Sequence, residues 1–139
     1  MTAATGIGAR VLRTEDKRFL TGTGRYVDDL PLARATYAYF LRSPHAHAKI
    51  KKLDISAAAK MSGVVNIFTG KDLVDAKVGG LICGWVVKDK HGEPHKAPPH
   101  PVMAVDTVRY VGDTVAMVVA NSYDEAKDAA EAIKVDYDV

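Results

Sequence analysis

Histidine is the residue type in this sequence most suited to holding a metal, and there are five of them. His45 and His47 would share one side of a strand, whereas His91, His95 and His100 lie in a proline-rich stretch. A zinc site needs several converging ligands, and no Cys-x-x-Cys or His-Glu-x-x-His motif accompanies these residues. Packing or a solvated-loop role explains the histidines better than a metal site does.

Cys83, beside Gly84 and Trp85, is a candidate nucleophile, because a lone cysteine with a distant histidine can do such chemistry. Free cysteines are also among the most often buried residue types, and inert packing is the better interpretation. A single cysteine excludes internal disulfides and favours a reducing compartment. With no secretory signal pattern and no apolar stretch of membrane-span length, the sequence predicts a cytoplasmic protein.

Short glycine motifs and one acidic pair complete the chemical candidates. Gly22-Thr23-Gly24 lacks the third glycine and the helix of a dinucleotide fingerprint, and Gly70-Lys71 lacks the upstream glycine of a Walker loop. Turn formation is the better explanation for these glycines. Asp28 and Asp29 are adjacent, and on an extended chain they point to opposite sides. Residue chemistry alone therefore yields no active site.

The 139 residues fit one domain, and a 47% hydrophobic, 26% charged composition is ordinary for a globular protein. A net charge of +2 with scattered basic residues argues against nucleic-acid binding. Residues 1–34, rich in turn-forming glycine, predict an extended arm. Its Leu20, Tyr26, Val27 and Leu30 need a surface to bury on. Residues 35–139 predict an α+β domain.

Two strand–helix–strand units are predicted in that domain, separated by an irregular stretch at 74–103 with a turn at Lys88–Gly92. If the two strands of a unit share a sheet, the crossover should be right-handed. Because the sequence stops inside the last strand, we expect it to be a fragment of a longer subunit.

The first strand–helix–strand unit comprises strands at 37–41, 47–53 and 64–68, a helix at 57–61 and a turn at 69–73. The second comprises strands at 108–111, 115–120 and 134–139 and a helix that begins at a Ser122–Glu125 capping box and buries Ala126, Ala129, Ala130 and Ile133.

From Arg42 to Ile50 the sequence resembles a known family, the N-terminal α/β-hammerhead domain of the molybdenum hydroxylase large subunit. Aerobic carbon monoxide dehydrogenase, xanthine dehydrogenase and aldehyde oxidase belong to this family, and the likeness is strongest to the carbon-monoxide-dehydrogenase type. Gly112-Asp113-Thr114 stands where the family often has Gly-Glu-Pro. Further matching segments are Arg13 to Asp16, Gly22 to Asp29, Gly63 to Val65, Thr69 to Leu73, Val108 to Ala116 and Val135 to Tyr137.

The resemblance implies an α+β hammerhead fold with small mixed sheets and a structural role in an oxidoreductase. It implies a molybdopterin-type cofactor in the full-length subunit, with 2Fe-2S and FAD in the whole complex, and no catalytic, cofactor-binding or metal residue in this stretch. The implied partners are the remaining catalytic domains and the iron–sulfur and FAD subunits. A stand-alone module that binds a small molecule or a metal is the alternative. The signature or interface residues are Tyr26, Asp28, Asp29, Arg42, Ser43, Pro44, His45, His47, Trp85 and Gly112.

Overall fold

The computed structural model of the chain describes residues 6–9, 13–82 and 84–139. The chain divides into two compact units, Met1–Arg34 and Ala35–Val139. The two interpretations of Cys83 fall outside the described residues. Within the described ranges, no helix is long and apolar enough to cross a membrane.

The first unit contains a short helix, α1 (Asp16–Leu20), and a 3-10 turn at Val27–Asp29. The prediction of an extended arm was therefore wrong at helix α1, whereas the 3-10 turn agrees with the turns expected along the arm. Local hydrogen bonds stabilise α1: at its end, the Thr21 hydroxyl donates to the Lys17 carbonyl at 2.7 Å. Apolar periodicity in the sequence does not reveal such bonds. Leu20 nevertheless remains exposed.

The second unit builds two three-stranded sheets, in which each neighbouring pair is antiparallel. Sheet A has the strand order β1-β5-β3, and sheet B has the order β4-β2-β6. Its described elements are β1 (Tyr37–Arg42), β2 (Ala48–Asp54), β3 (Val64–Thr69), α2 (Gly70–Asp75), β4 (Thr107–Val108), β5 (Thr114–Ala120), α3 (Tyr123–Ala132) and β6 (Lys134–Asp138).

The predicted fold class is confirmed, and the two strand–helix–strand units have an unexpected arrangement. The first strand–helix–strand unit runs from β2 in sheet B to β3 in sheet A. The second strand–helix–strand unit runs from β5 in sheet A to β6 in sheet B. Each crossover therefore connects the two sheets. The right-handed crossover rule, which concerns parallel strands of one sheet, does not apply here. Neighbouring strands pair antiparallel in both sheets, whereas mixed sheets had been predicted.

Helix α3 packs its small-residue stripe against the central strand of sheet A. Ala126, Ala129 and Ala130 have no exposed surface, and they share a core cluster with Ala116 and Val118 of β5. The predicted stripe is confirmed. Small side chains on both elements let the helix axis approach the sheet closely.

The predicted capping box at the start of α3 is confirmed in its main bond and altered in its second. The Glu125 amide donates to the Ser122 hydroxyl oxygen at 3.2 Å. The Glu125 carboxylate accepts from that hydroxyl at 2.9 Å, in place of the Ser122 amide bond that was predicted. Helix α3 thus has a satisfied first turn.

Three local predictions were wrong in element type or length. Residues 69–73, predicted as a turn, begin helix α2, because Asp72 Oδ2 accepts from both the amide and the hydroxyl of Thr69 at 2.6 Å. These bonds also hold the pKa of Asp72 below its ordinary value. The helix predicted at 57–61 is a single 3-10 turn, Ala58–Lys60. The strand predicted at 108–111 is only β4, because the chain turns at Gly112.

A β-bulge breaks the regular alternation of inward and outward side chains along β2. The pairing of β2 with β6 shifts register between Ile50 and Lys52. The extra residue lets Ile50 and Leu53, three positions apart, both pack into the core between the sheets. Strict alternation would have placed Leu53 on the solvent side.

The alanine stripe generates a stability prediction. Ala129→Leu should lower the free energy of unfolding by about 1–3 kcal/mol, because sheet A leaves no volume for a longer side chain. Chemical denaturation followed by circular dichroism measures the change. Asp128→Leu, exposed on the same helix, is the control and should change stability by less than about 0.5 kcal/mol. Equal effects of the two substitutions would contradict the close packing.

Candidate functional site

The end of β1 and the turn before β5 join through backbone hydrogen bonds. The Ser43 amide donates to the Asp113 carbonyl at 2.8 Å, and the Gly112 amide donates to the Ser43 carbonyl at 2.8 Å. Arg42 Nη1 donates to the Gly112 carbonyl at 2.9 Å. We call these four residues the Ser43–Asp113 junction. Gly112 has φ +90°, a conformation that favours glycine, which explains its place in the turn.

Two polar side chains are buried at this junction. Ser43 is 2% exposed and Asp113 is 7% exposed. The Ser43 hydroxyl accepts from the His45 amide at 3.0 Å and donates to the His45 carbonyl at 3.1 Å. Asp113 Oδ2 accepts from the Arg109 amide at 3.0 Å. Both side chains are hydrogen-bonded to backbone groups. Such bonds are typical of buried polar groups that stabilise a fold.

Tyr137 of β6 packs beside the junction. Its ring meets the ring of His45 edge-on, with the centroids 4.9 Å apart. Burial raises the pKa of Tyr137, the nearby Asp113 charge raises it further, and a hydrogen bond with Ser43 acts in the opposite direction. The pKa of Tyr110 is raised as well, by desolvation first and then by Asp113. The junction therefore favours neutral phenols.

The middle stretch, predicted as irregular with a turn at Lys88–Gly92, folds back on itself. The Leu81 amide donates to the His100 carbonyl at 2.7 Å, and the His95 amide donates to the Val87 carbonyl at 2.9 Å. Lys88 and Pro94 form an isolated antiparallel bridge, so the turn prediction is confirmed. We call residues 80–101 the loop hairpin, as far as the structure describes them.

A groove opens between the loop hairpin and the turn before β5. Its volume is about 790 Å³. Leu81, Ile82 and residues 95–101, which include His95, Lys96 and His100 beside an alanine and three prolines, form one side, and Arg109, Tyr110 and Asp113 form the other side. Gly80 is needed at the start of the loop hairpin, because a Cβ there would lie 2.6 Å from the His100 carbonyl oxygen. We call this cavity the loop groove.

Large apolar side chains of the loop hairpin face solvent. Ile82 is 93% exposed and Trp85 is 79% exposed. Val86, Val87 and Leu81 are also more than half exposed. Such a run is larger than the isolated exposed apolar residues of ordinary surfaces, and it indicates a surface that a partner covers.

The residues that sequence analysis singled out separate into three groups. Arg42, Ser43, Gly112 and His45 come together at the junction. Pro44 and His47 are exposed next to it, and Trp85 lies in the loop hairpin. In the first unit, the Tyr26 ring stacks on Phe19 at 5.1 Å, and Asp29 accepts from the Tyr26 amide at 2.8 Å. Asp28 and Asp29 lie in a 3-10 turn instead of an extended segment.

Asp113 of the junction and Tyr137 beside it were not among the predicted site residues. The sequence analysis placed both only within segments that resemble the family. Val-Gly-Asp is an ordinary turn sequence, and nothing in it signals that the carboxylate is buried. An acidic residue held by a backbone amide four positions earlier becomes apparent only when the turn is folded.

A molybdopterin-type cofactor does not fit the residues that the structure describes. A pterin needs several convergent polar groups in a closed pocket. In residues 6–9, 13–82 and 84–139, each buried side-chain nitrogen or oxygen already has a hydrogen-bond partner. The same ranges contain no group of three or more histidine, cysteine, aspartate or glutamate side chains placed to hold a metal.

Comparison with known families gives residues 21–139 a match to "Aldehyde oxidase and xanthine dehydrogenase, a/b hammerhead domain". The chain belongs to this hammerhead-domain family. Sequence resemblance had predicted this membership, and the match confirms it.

Relatives and solved structures agree with that membership. The chain is 41% identical over 127 residues to the nicotine 6-hydroxylase large subunit of Paenarthrobacter nicotinovorans, covering 91% of the chain and 15% of the relative. It is 37% identical over 134 residues to the carbon monoxide dehydrogenase large chain of Afipia carboxidovorans, covering 96% and 15%. The structure of quinoline 2-oxidoreductase from Pseudomonas putida 86 superposes with a TM-score of 0.72 at 40% identity, covering 92% of the chain and 16% of that structure.

The hammerhead chain thus spans about 15% of the length of the curated relatives given above. In each of them the larger part of the polypeptide lies outside the matched stretch. A structure of the Cu,Mo-CO dehydrogenase shows the same proportion, since the chain covers 16% of it at a TM-score of 0.69 and 34% identity, with 99% of the chain covered.

Removal of the Ser43 hydroxyl tests the junction. Ser43→Ala should lower the free energy of unfolding by about 1–3 kcal/mol, because the His45 amide would lose its acceptor in a buried place. Urea denaturation measures the change. Ser62→Ala, at an exposed serine, is the control and should have little effect. If Ser43→Ala matched that control, the junction would not be a stabilising network.

Alkaline titration tests the raised pKa of the half-buried Tyr137 phenol. Because the folded-state pKa of Tyr137 lies above its unfolded value near 10, its stabilising contribution is complete below pH 10 and disappears as pH rises through the folded-state pKa. Tyr137→Phe should therefore weaken the loss of stability above pH 10. Tyr110, whose pKa is raised in the same direction, should contribute to the loss that remains in the variant. Melting temperatures at several alkaline pH values measure it, and an unchanged profile in the variant would contradict the assignment.

Proposed function

We propose that this chain is the N-terminal structural domain of the molybdenum-binding large subunit of a molybdenum hydroxylase. In this role it holds no catalytic residue and shapes the surface on which the catalytic domains rest. The observation that carries the proposal is the match over residues 21–139 to a hammerhead domain that makes up only about 15% of the relatives. A domain of this size is one part of a larger enzyme in each of them.

The exposed apolar loop hairpin supports the structural role. Ile82, Trp85 and Val86 lie on a segment closed by its own backbone hydrogen bonds, so the segment has a defined shape and an apolar surface. In the first unit, Tyr26 and Val27 are exposed as well. We infer that both segments pack against the catalytic domains of the same subunit.

The cofactors and further partners belong to the proposed whole enzyme. A molybdopterin-type cofactor would lie in the remainder of the large subunit, and 2Fe-2S and FAD would lie in partner subunits. The satisfied buried polar groups of the described residues support this placement of the pterin. We also propose a cytoplasmic location, which the single cysteine supports.

Metal analysis of the purified 139-residue chain tests the proposal. Expressed in a host that makes the molybdenum cofactor, the chain should contain no stoichiometric molybdenum and should show no dye-linked oxidation of N-heteroaromatic substrates or carbon monoxide. The Cu,Mo-CO dehydrogenase made in the same host is the positive control. Stoichiometric molybdenum in the short chain would contradict the structural role.

The loop groove favours a second candidate, a stand-alone module that binds a small molecule. Its volume of about 790 Å³ lies within the range of ligand pockets, and apolar walls with a few polar groups suit a small aromatic molecule. Such a module predicts a saturable change in the fluorescence of Trp85 on titration with N-heteroaromatic compounds. No response across the series would rule this candidate out in favour of the structural role.

A further inference from the structure

The register of sheet A places one set of apolar side chains on the side away from helix α3. Phe40 lies opposite Met117, and Met117 lies opposite Phe68. Directly paired residues project to the same face of a sheet, so these three form one row. We call the face that contains this row the outer face of sheet A. A second row on it consists of Ala38, Val119 and Asn66.

The opposite face of sheet A is already covered. Tyr39, Val118 and Ile67 form the neighbouring row, and they pack with the alanines of helix α3 in the core. The residues of the outer face belong to neither buried core cluster. Sheet A is therefore apolar on both sides, although helix α3 fills only one of them.

Sheet B shows what a solvated face looks like in the same protein. Its outward positions place Lys49 opposite Asp138 and Lys52 opposite Asp136. Opposite charges across neighbouring strands are typical of a face in contact with water. The outer face of sheet A carries no charged residue in its two rows, and Asn66 is its one polar side chain.

Exposure agrees with this contrast. Phe40 is 43% exposed, and Met117, Phe68 and Val119 are half-buried. At the edge, the Arg42 guanidinium lies over the Phe40 ring, with its carbon 5.9 Å from the centroid. The face is an apolar surface that continues across three strands, unlike the single exposed apolar residues of an ordinary protein surface.

We propose that the outer face of sheet A is a docking surface for an apolar segment of the same polypeptide, from the part that lies outside these 139 residues. The inference rests on the proposed function, in which this chain is one domain of a longer subunit. It adds a second interface to the loop hairpin and gives its residues.

The area of the face favours a segment of the same polypeptide over a second copy of the chain as its binding partner. Three strands about 4.8 Å apart, over about five residues each, make a face of roughly 250 Å². A stable dimer buries about 800 Å² on each partner, so this face alone does not supply a dimer interface. A segment of the same chain is present at an effective concentration near millimolar, and a small interface then suffices.

Hydroxyl-radical footprinting tests the proposal with the unmodified sequence. The 139-residue chain and the longer subunit that contains it are oxidised under the same conditions, and labelling is measured at each methionine and phenylalanine. Met117 and Phe40 should be labelled several-fold less in the longer subunit. Met61 is the matched control, because it is also half-buried but packs in the core beside α3, and its labelling should not change.

Three results would overturn the proposal. Equal labelling of Met117 in the two forms would mean that no segment covers the face. Concentration-dependent protection of Met117 in the short chain would assign the face to a second copy. A short chain that contains stoichiometric molybdenum would contradict the proposed function and the docking surface together, whereas unprotected Met117 in a molybdenum-containing longer subunit would contradict the docking surface alone.

A pair of variants gives an independent readout. Phe40→Ser should leave the melting temperature of the short chain nearly unchanged and lower the yield of assembled longer subunit several-fold. Lys52→Ser, on the charged face of sheet B, is the control and should leave both unchanged. Equal yields of the two variants in the longer subunit would count against the docking surface.

Discussion

The contact between helix α3 and strand β5 is the constraint on which the rest of the hammerhead domain depends. Ala126, Ala129 and Ala130 meet Ala116 and Val118 with no space left between them. Strand β5 also pairs with both β1 and β3, so it holds sheet A together through its backbone. Where α3 ends at Ile133, the chain enters β6 and thus sheet B. One helix of ten residues therefore both covers sheet A and leads the chain into sheet B.

The Ser43–Asp113 junction performs a related task at the other end of sheet A. It joins β1 to the turn before β5 at the point where the strand register shifts. Its buried polar side chains are bound to backbone groups, which gives Arg42, Ser43 and Asp113 a structural role in this part of the fold. The loop hairpin presents exposed apolar side chains, and the residues of the outer face of sheet A belong to neither buried core cluster.

Sequence reasoning succeeded where a signal was local and periodic. The helical stripe from Ala126 to Ile133 and the Ser122 cap are such signals, since one element's own spacing determines them. Helix α2 was missed because its cap, Asp72 to Thr69, lies in a segment with too few residues for periodicity. The loop hairpin and the buried Asp113 depend on bonds between distant residues. The outer face of sheet A depends on the register of three strands that are far apart in the chain, and alternation within a single strand does not determine which residues share a row.

Amide hydrogen exchange on the 139-residue chain tests most directly the claim that the α3–β5 contact is the centre of the domain. The account predicts that the slowest amides belong to β5 and α3, which exchange only on global unfolding, and that amides of the loop hairpin exchange much faster. Rapid exchange throughout β5, or slowest exchange in a different element, would contradict it.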